Sequence, residues 1–431
     1  MPLSWSVAVS IAFAPFLSSA YADEEHVKDV TFLMDAIGEN AGPLLDQKGV
    51  NLDALRKEFI SEAKELESDQ QLIDLVARLL ARLQDGHARF TDVAVDMEGF
   101  GPDARYACGL ELYEHKGDWY VKRASGAAEN SGVLPGWKVV KIDGRKAPEW
   151  MEEAYAKLVL VRGFSTTRAA RFAAGTWGVV GPEGKAAKFE FVTDKRKKRE
   201  VSLTWAENSG GGRLVGPVVL PEGLERIGRD IGWAPLTDDV GYVWVGRVPG
   251  NLHELIDEAI RGLGEGCETL VLDFRSNVGG GYDRDALLGR FVPKGTSWGG
   301  EESAGPMPFT GQLIVLVDPN TISAAETIVG ELKEEGRAYL IGPGGTHGAS
   351  GSKTGVAAPS GKFAVRFVIR SHKQRFNGGK GVEGIGIEPH EIVPYEPKDV
   401  ANGVDPCVQR ALEIAKKGLP KKHVTYVPPK R

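Results

Sequence analysis

Apolar residues recur at helical spacing through residues 23–97. Ser68-Asp69-Gln70-Gln71 has the pattern of a helix N-terminal capping box. The apolar positions after it are three and four residues apart, as one helical face requires: Leu72, Leu75, Val76, Leu79, Leu80 and Leu83. An earlier helix is predicted from about Asn51, with a buried side formed by Leu52, Leu55, Phe59 and Ile60. We therefore predict a helical N-terminal region over residues 23–97.

The pattern changes over residues 98–207 and again from residue 213 to the end. In the first of these segments, short apolar stretches such as 119–121 and Lys138–Ile142 alternate with turns, which indicates a small strand-rich module. Residues 209–212 are Ser-Gly-Gly-Gly and suit a linker.

Residues 213–431 read as strand, helix and strand in turn. The continuous apolar runs Thr269–Asp273 and 313–317 are typical of strands buried in a parallel sheet. Further strands are predicted at 242–245, 338–341 and 363–369, and helices at 252–263 and 324–332. This succession predicts a layered α/β domain.

The first 22 residues have the pattern of a secretory signal peptide. Residues 7–17 are mostly apolar, but the run is too short for a membrane span of about 20 residues. It is followed by Ala20-Tyr21-Ala22, an A-x-A cleavage pattern, and polar sequence begins at Asp23. We predict cleavage after Ala22 and an exported, periplasmic or secreted protein without a stable membrane anchor. The alternative is a membrane anchor, against which Pro15 and the short run argue, although no Lys or Arg precedes the run.

Charge and cysteine content argue against several classes of protein. The formal net charge is −6 and the sequence pI is about 5.9, which gives no electrostatic reason to expect nucleic acid as a partner. Cys108, Cys267 and Cys407 are widely spaced and contain no CxxC pair, which excludes a zinc-cysteine site and a disulfide-rich scaffold. One disulfide with one thiol left over and three free thiols both fit this spacing. No His/Cys/Asp cluster offers a metal site, and we expect no cofactor.

Ser323 is placed where a nucleophile could act. It follows the second buried strand after a turn and begins a predicted helix, whose first amides point toward developing negative charge. The alternative is an ordinary helix N-cap, the commoner role of serine at such a position.

The segment Asp273-Phe274-Arg275-Ser276-Asn277-Val278 and the glycines at 279, 280 and 281 follow the other buried strand. Ligands of open α/β sheets bind outside these strand ends, and glycines leave amides unscreened, as an oxyanion site needs. A plain glycine turn is the alternative. A phosphate-binding loop is excluded, because G-x-x-x-x-G-K-[ST] is absent.

These segments together resemble the S41 family of C-terminal processing and tricorn-core serine peptidases. DFRSNVGG is similar to the family's D-L-R-x-N-x-G-G, and TISAAE to its S-A-x-x-E nucleophile motif. The segment 383–389, EGIGIEP, resembles E-G-x-G-I-x-P, and Leu83-Gln84-Asp85-Gly86-His87 resembles the L-x-D-x-H of the tricorn-like branch. The middle module is similar to a PDZ domain. The resemblance implies a multidomain α/β protein with a helical N-terminal region, a PDZ-like module over 98–207, and a ClpP/crotonase-like peptidase core over 213–431.

The resemblance also implies roles for individual residues. Ser323 would be the nucleophile, Glu383 the third member of the catalytic unit, and the amides of Gly279 and Ala324 the oxyanion site. The PDZ-like module would bind a peptide's C-terminal segment along Gly109, Leu110, Glu111 and Leu112.

The identity of the base is less direct, because the Ser-Lys branch has a lysine where this chain has Ala349. His87 matches the histidine of the tricorn-like branch, and imidazole is a suitable base at neutral pH. His347 and Lys353 are the alternative bases, and Lys353 is displaced by four residues from the family's lysine position. The sequence thus predicts an exported serine endopeptidase acting on peptide or protein substrates. The alternative is a non-catalytic peptide- or ligand-binding protein on the same fold.

Overall fold

The computed structural model describes residues 18–93, 106–208, 219–298, 300–372 and 374–426. Most of the predicted signal peptide, the start of the predicted middle module and the predicted linker at 209–212 lie outside these residues. The predicted domain boundaries remain predictions.

The N-terminal region consists of three helices and one strand: α1 (Ser18–Gln47), α2 (Leu52–Ala63), α3 (Asp69–Arg82) and β1 (Arg89–Val93). Ser68 caps α3 by accepting a hydrogen bond from the Gln71 amide at 3.3 Å, and Asn51 caps α2 in the same way. Both predicted helix starts are therefore confirmed. The prediction of helix is wrong over Arg89–Val93, because this segment pairs with a distant strand near the C-terminus.

The middle module contains more helix than its sequence pattern predicts. Its elements are β2 (Tyr106–Ala107), β3 (Leu110–His115), β4 (Asp118–Ala124), α4 (Gly126–Asn130), β5 (Lys138–Ile142), β6 (Arg145–Lys146), α5 (Ala147–Val161), α6 (Thr167–Trp177), β7 (Val180–Gly181), β8 (Ala186–Val192), β9 (Lys198–Thr204) and β10 (Glu207–Asn208). The strands predicted around 119–121 and 138–142 are confirmed as β4 and β5. They belong to an antiparallel sheet of order β3-β4-β5-β8-β9, in which β3 is an edge strand.

The C-terminal part begins with β11 (Glu225–Gly228), β12 (Ile231–Pro235), β13 (Val240–Val245), α7 (Leu252–Leu263), β14 (Thr269–Asp273), α8 (Arg284–Gly289), β15 (Ser297–Trp298) and β16 (Glu301–Glu302). It continues with β17 (Gln312–Leu316), α9 (Ala324–Glu334), β18 (Tyr339–Gly342), β19 (Ser352–Ala357), β20 (Phe363–Arg370), β21 (Glu391–Ile392), α10 (Pro397–Ala401) and α11 (Pro406–Lys417). Every strand and helix predicted for this part is present.

A seven-stranded sheet of order β11-β12-β13-β14-β17-β18-β21 organises this part, and it is parallel from β13 to β21. One face packs against α7 and α9 and the other against α11. The two continuous apolar runs, β14 and β17, lie side by side in its centre and are buried on both faces. The layered α/β prediction is therefore confirmed.

A second sheet, of order β1-β20-β19, pairs the strand of the N-terminal region with two strands of the C-terminal part. Phe363, Val365 and Phe367 of β20 are buried in one apolar cluster with the residues of α1, α2 and α3. The N-terminal helices therefore share a core with the C-terminal part.

No helix among the described residues is long and apolar enough to cross a membrane. Cys108, Cys267 and Cys407 are each buried, and no disulfide joins them. The structure therefore has three thiols rather than one disulfide and one thiol.

Candidate active site

Ser323 has a backbone conformation that an ordinary N-cap does not have. It lies immediately before α9 with φ 66° and ψ −129°. Residues with side chains seldom adopt positive φ, and a capping residue normally has extended dihedrals. The Ser323 amide is held by the carbonyl of Ala349 at 2.9 Å and by a carboxylate oxygen of Glu326 at 3.1 Å. Strained residues held in this way cluster at functional sites, which fits a nucleophile. Ser323 is at the same time the N-cap of α9, with Glu326 as its capping-box partner.

The glycine segment after β14 lies directly against Ser323. The carbonyl of Asn277 accepts a hydrogen bond from the Ile322 amide at 2.9 Å. Gly279 has φ 76°, and a Cβ added to it would lie 2.5 Å from the Cβ of Ser323. Only glycine fits here, and the ends of β14 and β17 meet at this point.

The amides of the glycine segment differ in their hydrogen bonding. The Gly279 amide donates to Oδ1 of Asn277 at 2.8 Å, and that side chain is itself held by the Val245 carbonyl. Within the described part of the chain, no hydrogen bond uses the amide of Gly280 or of Ala324. Ala324 begins α9, where the first amides have no partner within the helix. The sequence did not single out the Gly280 amide as an oxyanion donor.

A buried network holds this glycine segment to the sheet. The Arg275 guanidinium is fully buried and pairs with Asp273 at 2.6 Å and with Asp405, the N-cap of α11, at 2.8 Å. The Tyr242 hydroxyl donates to the same Asp273 carboxylate at 2.6 Å. A buried charge needs such partners, so the D-x-R pattern has a structural role here.

Glu326 organises the loop that faces the nucleophile. Its buried carboxylate accepts hydrogen bonds from the Thr346 hydroxyl at 2.5 Å, the Gly348 amide at 2.6 Å and the Ala349 amide at 2.8 Å, besides that of Ser323. Burial raises the pKa of Glu326 to about 7, and the hydrogen bonds oppose this rise. The glutamate of the S-x-x-E motif therefore accepts the hydrogen bonds that hold residues 346–349 in place. This role is invisible without the fold.

His87 is buried and neutral. It is 6% exposed, and its amide donates to Asp85, whose other carboxylate oxygen accepts from the Val368 amide at 2.7 Å. Burial, together with the nearby charge of Lys353, lowers the pKa of His87 to about 3. The imidazole is therefore neutral and, in this arrangement, a weak base. Its Nδ1 is buried without a hydrogen-bond partner in the described structure.

His347 lies beside the segment that carries His87. Its ring stacks on Phe164 with the ring centres 6.1 Å apart, and burial lowers its pKa to about 3. A Cβ on Gly86 would overlap the His347 ring and lie 3.1 Å from the Ala349 side chain. Because the Ala349 carbonyl holds the Ser323 amide, the D-x-H segment and the nucleophile segment both border the same loop.

Glu383 is buried next to this loop and has one free carboxylate oxygen. Its Oε2 accepts from the Lys48 ammonium at 3.2 Å, whereas Oε1 has no partner in the described structure. The Gly384 amide donates to the Gly348 carbonyl at 2.8 Å and fixes the segment. Burial raises the pKa of Glu383 to about 8, and the charge of Lys48 opposes this rise. No sequence motif points to Lys48.

The alternative base Lys353 lies outside this loop. It is exposed on β19, opposite Val368 of β20, and Ala349 occupies the loop position four residues earlier. Burial of part of the side chain lowers its pKa, and the charge of Arg366 lowers it further.

Comparison with known proteins identifies the central part of the chain. Residues 239–393 match the family model described as Peptidase family S41. We refer to this stretch as the S41 domain, after the family whose model it matches. The carboxyl-terminal-processing protease of Picosynechococcus sp. is 28% identical over 197 residues, which are 41% of this chain and 45% of that protein. The match thus spans less than half of that relative's length.

Two solved structures have a similar fold over nearly the whole chain. The structure of mature CPAF complexed with lactacystin has a TM-score of 0.67 at 14% identity, covering 92% of this chain and 98% of that one. The crystal structure of mature CPAF has a TM-score of 0.65 at 15% identity, covering 92% and 97%. At this identity the likeness concerns the fold alone.

The middle module directly touches the loop of residues 346–349 in the S41 domain. The Thr166 hydroxyl donates to the His347 carbonyl at 2.8 Å, and Arg168 Nε donates to the Thr346 carbonyl at 2.8 Å. A cavity of about 740 Å³ lies between α3, α5, α6 and the S41 domain, and Gln84, Phe164 and Gly384 are among its lining residues. Because these residues adjoin Asp85, His347 and Glu383, the cavity borders the site.

Gly109 to Leu112 lie away from this cavity, on the edge of the middle sheet. Leu110 to Leu112 belong to β3, and Gly109 precedes it with φ 81°. Helix α6 packs over β3 so closely that a Cβ on Gly175 would overlap the Leu112 carbonyl. A peptide strand needs about 4.8 Å beside β3, so at this point binding by strand addition requires α6 to move.

Among the described residues, no group of three or more His, Cys, Asp or Glu side chains is placed to hold a metal ion.

Proposed function

We propose that the protein is a serine peptidase that cleaves peptide or protein substrates with Ser323 as nucleophile and His87 as base. The observation that carries this proposal is the strained Ser323 at the start of α9, packed against Gly279 within an S41 domain.

The proposed reaction is acyl transfer. The Ser323 oxygen attacks the substrate carbonyl carbon while its proton passes to His87. The oxyanion is held by the Ala324 amide together with that of Gly279 or Gly280. For Gly279 to donate, its hydrogen bond to Asn277 must be exchanged for one to the oxyanion. The C–N bond then breaks, His87 returns the proton to the leaving amine, and water hydrolyses the acyl-enzyme with the same base.

Glu383 would orient His87. The Nδ1 of His87 and the Oε1 of Glu383 are both buried and both lack a partner, which makes them complementary as donor and acceptor. A hydrogen bond between them would fix the imidazole tautomer and stabilise the imidazolium. In the present structure Lys48 holds the other oxygen of Glu383.

Fluorophosphonate labelling tests the nucleophile. We expect one adduct per chain, located at Ser323 by peptide mapping and absent from Ser323→Ala and His87→Ala proteins. A labelled His87→Ala protein beside an unlabelled Lys353→Ala protein would make the displaced lysine the base.

A non-catalytic binding protein is the second candidate. The lysine of the Ser-Lys branch is replaced by Ala349, and the Glu383 carboxylate is paired with Lys48 rather than with a histidine. A protein that binds peptides but gives neither adduct nor cleavage products would establish this candidate.

We further propose that the chain is exported with Asp23 as its mature N-terminus. The apolar run 7–17 and the A-x-A pattern support this proposal. Intact-mass measurement on exported protein tests it, and retention of Met1 would refute it.

We also propose that the middle module is PDZ-like and binds the C-terminal segment of substrates along β3, which requires α6 to move away from this strand at Leu112. Gly109→Ala should weaken binding of long peptides with a free C-terminus, because the new Cβ would overlap the Ser125 carbonyl at a residue with φ 81°. Cleavage of short chromogenic peptides should persist. Equal loss on both substrates would indicate a structural role instead.

A further inference from the structure

Basic side chains without acidic partners collect beside His87. Arg89 on β1 and Arg366 on β20 are directly opposite each other in the antiparallel pairing. Like charges in this arrangement repel, and native sheets normally place an opposite charge there. Within the described part of the chain, neither guanidinium forms an ion pair or a hydrogen bond, and Nε of Arg366 is buried without an acceptor.

Strand alternation places a third cation on the same face. Phe363, Val365 and Phe367 of β20 point to the N-terminal helices, so Arg366 and Val368 point to the other face. Lys353 of β19 is opposite Val368, which puts its side chain on the face that carries Arg366. In the described structure Lys353 forms no ion pair either.

Arg162 adds a fourth cation from the middle module. Its guanidinium lies over the rings of Phe164 and Trp177, at 5.7 and 5.3 Å from their centres, and it lines the 740 Å³ cavity. Burial lowers its pKa, and the nearby charge of Arg89 lowers it further. We call Arg89, Arg162, Lys353 and Arg366 the cationic cluster.

Two carboxylates near the cluster are engaged elsewhere, and a third, Asp92 of β1, is opposite Ala364 in the same strand pairing. Asp85 accepts the amides of His87 and Val368, and Glu383 is paired with Lys48. Both carboxylates act on Lys353 electrostatically without forming an ion pair with it. The cluster therefore keeps its net positive charge next to the proposed base.

We propose that the cationic cluster is a subsite for a carboxylate of the peptide, an Asp or Glu side chain near the bond to be cleaved. An incoming carboxylate would relieve the repulsion between Arg89 and Arg366 and give the orphaned Arg366 donor an acceptor. This inference rests on the proposed function for its substrate. Recognition of the carboxylate requires only that the peptide binds, whether or not it is then cleaved.

Binding to Ser323→Ala protein tests the subsite without cleavage. The probes are twelve-residue peptides, blocked at both ends and carrying an uncharged fluorophore, with one Glu moved along the sequence or replaced by Gln. We expect at least one Glu peptide to bind about 10- to 100-fold more tightly than its Gln counterpart, as a charged hydrogen-bonded pair allows. The advantage should shrink at 0.5 M salt, because ions screen exposed charges.

Substitutions within the cationic cluster test whether its residues cause the preference for Glu peptides. Arg89→Thr with Arg366→Thr should abolish the Glu preference without lowering the melting temperature, because the like-charge pair is removed. Arg366→Glu should also abolish the Glu preference, because the new carboxylate would pair with Arg89 on the opposite strand. Lys198→Thr is the matched control, since Lys198 is also an exposed basic residue on an antiparallel strand, β9. It should change nothing.

The outcomes separate this inference from the proposed function. Equal binding of Glu and Gln peptides, or a preference that survives the double substitution, would overturn the subsite. One further Gln peptide is left unblocked at its C-terminus. Tighter binding of this peptide alone would assign the cluster to the chain end and overturn the side-chain proposal. Fluorophosphonate labelling without Glu preference would refute the subsite alone. Glu preference without labelling or cleavage would refute the peptidase and leave the subsite in place.

Discussion

Gly279→Ala is the substitution that most directly tests the contact between the glycine segment and the nucleophile. Gly279 has φ 76°, a conformation that costs a residue with a Cβ about 1–2 kcal/mol. The new Cβ would lie 2.5 Å from the Ser323 Cβ, 2.9 Å from the Ile322 carbonyl oxygen and 3.1 Å from the Ala324 amide. Relieving this overlap in a packed interior costs about a further 1–3 kcal/mol. We therefore expect the free energy of unfolding to fall by about 2–5 kcal/mol.

The effect on activity should be larger than the effect on stability. The clash is with backbone, so Ser323 and the Ala324 amide must shift together by several tenths of an ångström or more. A displacement of about 1 Å costs on the order of 100-fold in rate. We expect kcat/KM on a chromogenic peptide and the rate of fluorophosphonate labelling to fall by about this factor, measured at a temperature where the variant is folded.

The same segment supplies the control. Gly281 has no atom within 4 Å of an added Cβ and no positive φ, so Gly281→Ala should leave both the melting temperature and kcat/KM close to those of the parent protein. Parent-like activity in Gly279→Ala would refute the placement of the glycine segment against the nucleophile. So would an equal loss in Gly281→Ala.

Two further predictions concern the catalytic unit. His87→Ala should reduce kcat about as severely as Ser323→Ala, the double variant should be little worse, and His347→Ala should cost less, because members of one unit act non-additively. Parent-like turnover in folded His87→Ala protein would contradict the assignment. For the pH profile, Glu383 has a pKa raised to about 8 by burial and orients the base as a carboxylate, so kcat/KM should rise as pH increases through about 8. Lys48→Met should move this limb to higher pH, since the Lys48 charge favours the carboxylate, and a limb that persists unchanged in Glu383→Gln would exclude this origin.

Local sequence patterns predicted most of the elements around the site. The apolar runs of β14 and β17, the helix of 252–263 and the caps at Asn51 and Ser68 are all where periodicity and capping chemistry place them. These features depend on neighbours within a few residues of each other. That Ser323 and the glycine segment meet was implied only by the family resemblance, and the pairing of β14 with β17 brings their carboxyl ends to one edge of the sheet.

Elements that owe their conformation to distant partners were missed. β1 is a strand because β20 supplies its hydrogen bonds, and the paired residues Arg89 and Arg366 are 277 positions apart in the chain. The helices α5 and α6 were missed because turns and short strands dominate the sequence pattern of the middle module. Their contacts with the S41 domain, through Thr166 and Arg168, involve carbonyl groups, which no side-chain pattern reveals.

What the sequence determined by itself is the chemistry available: a serine before a helix, a glycine segment after a buried strand, and a histidine in a D-x-H context. What only the tertiary structure decided is the state of those groups. Burial makes His87 a neutral imidazole and raises the pKa of Glu383, and Lys48 reaches that carboxylate from the end of the first helix. Strand pairing sets Arg89 against Arg366. Desolvation and long-range electrostatics depend on which residues meet in space, and the order of residues along the chain does not record this.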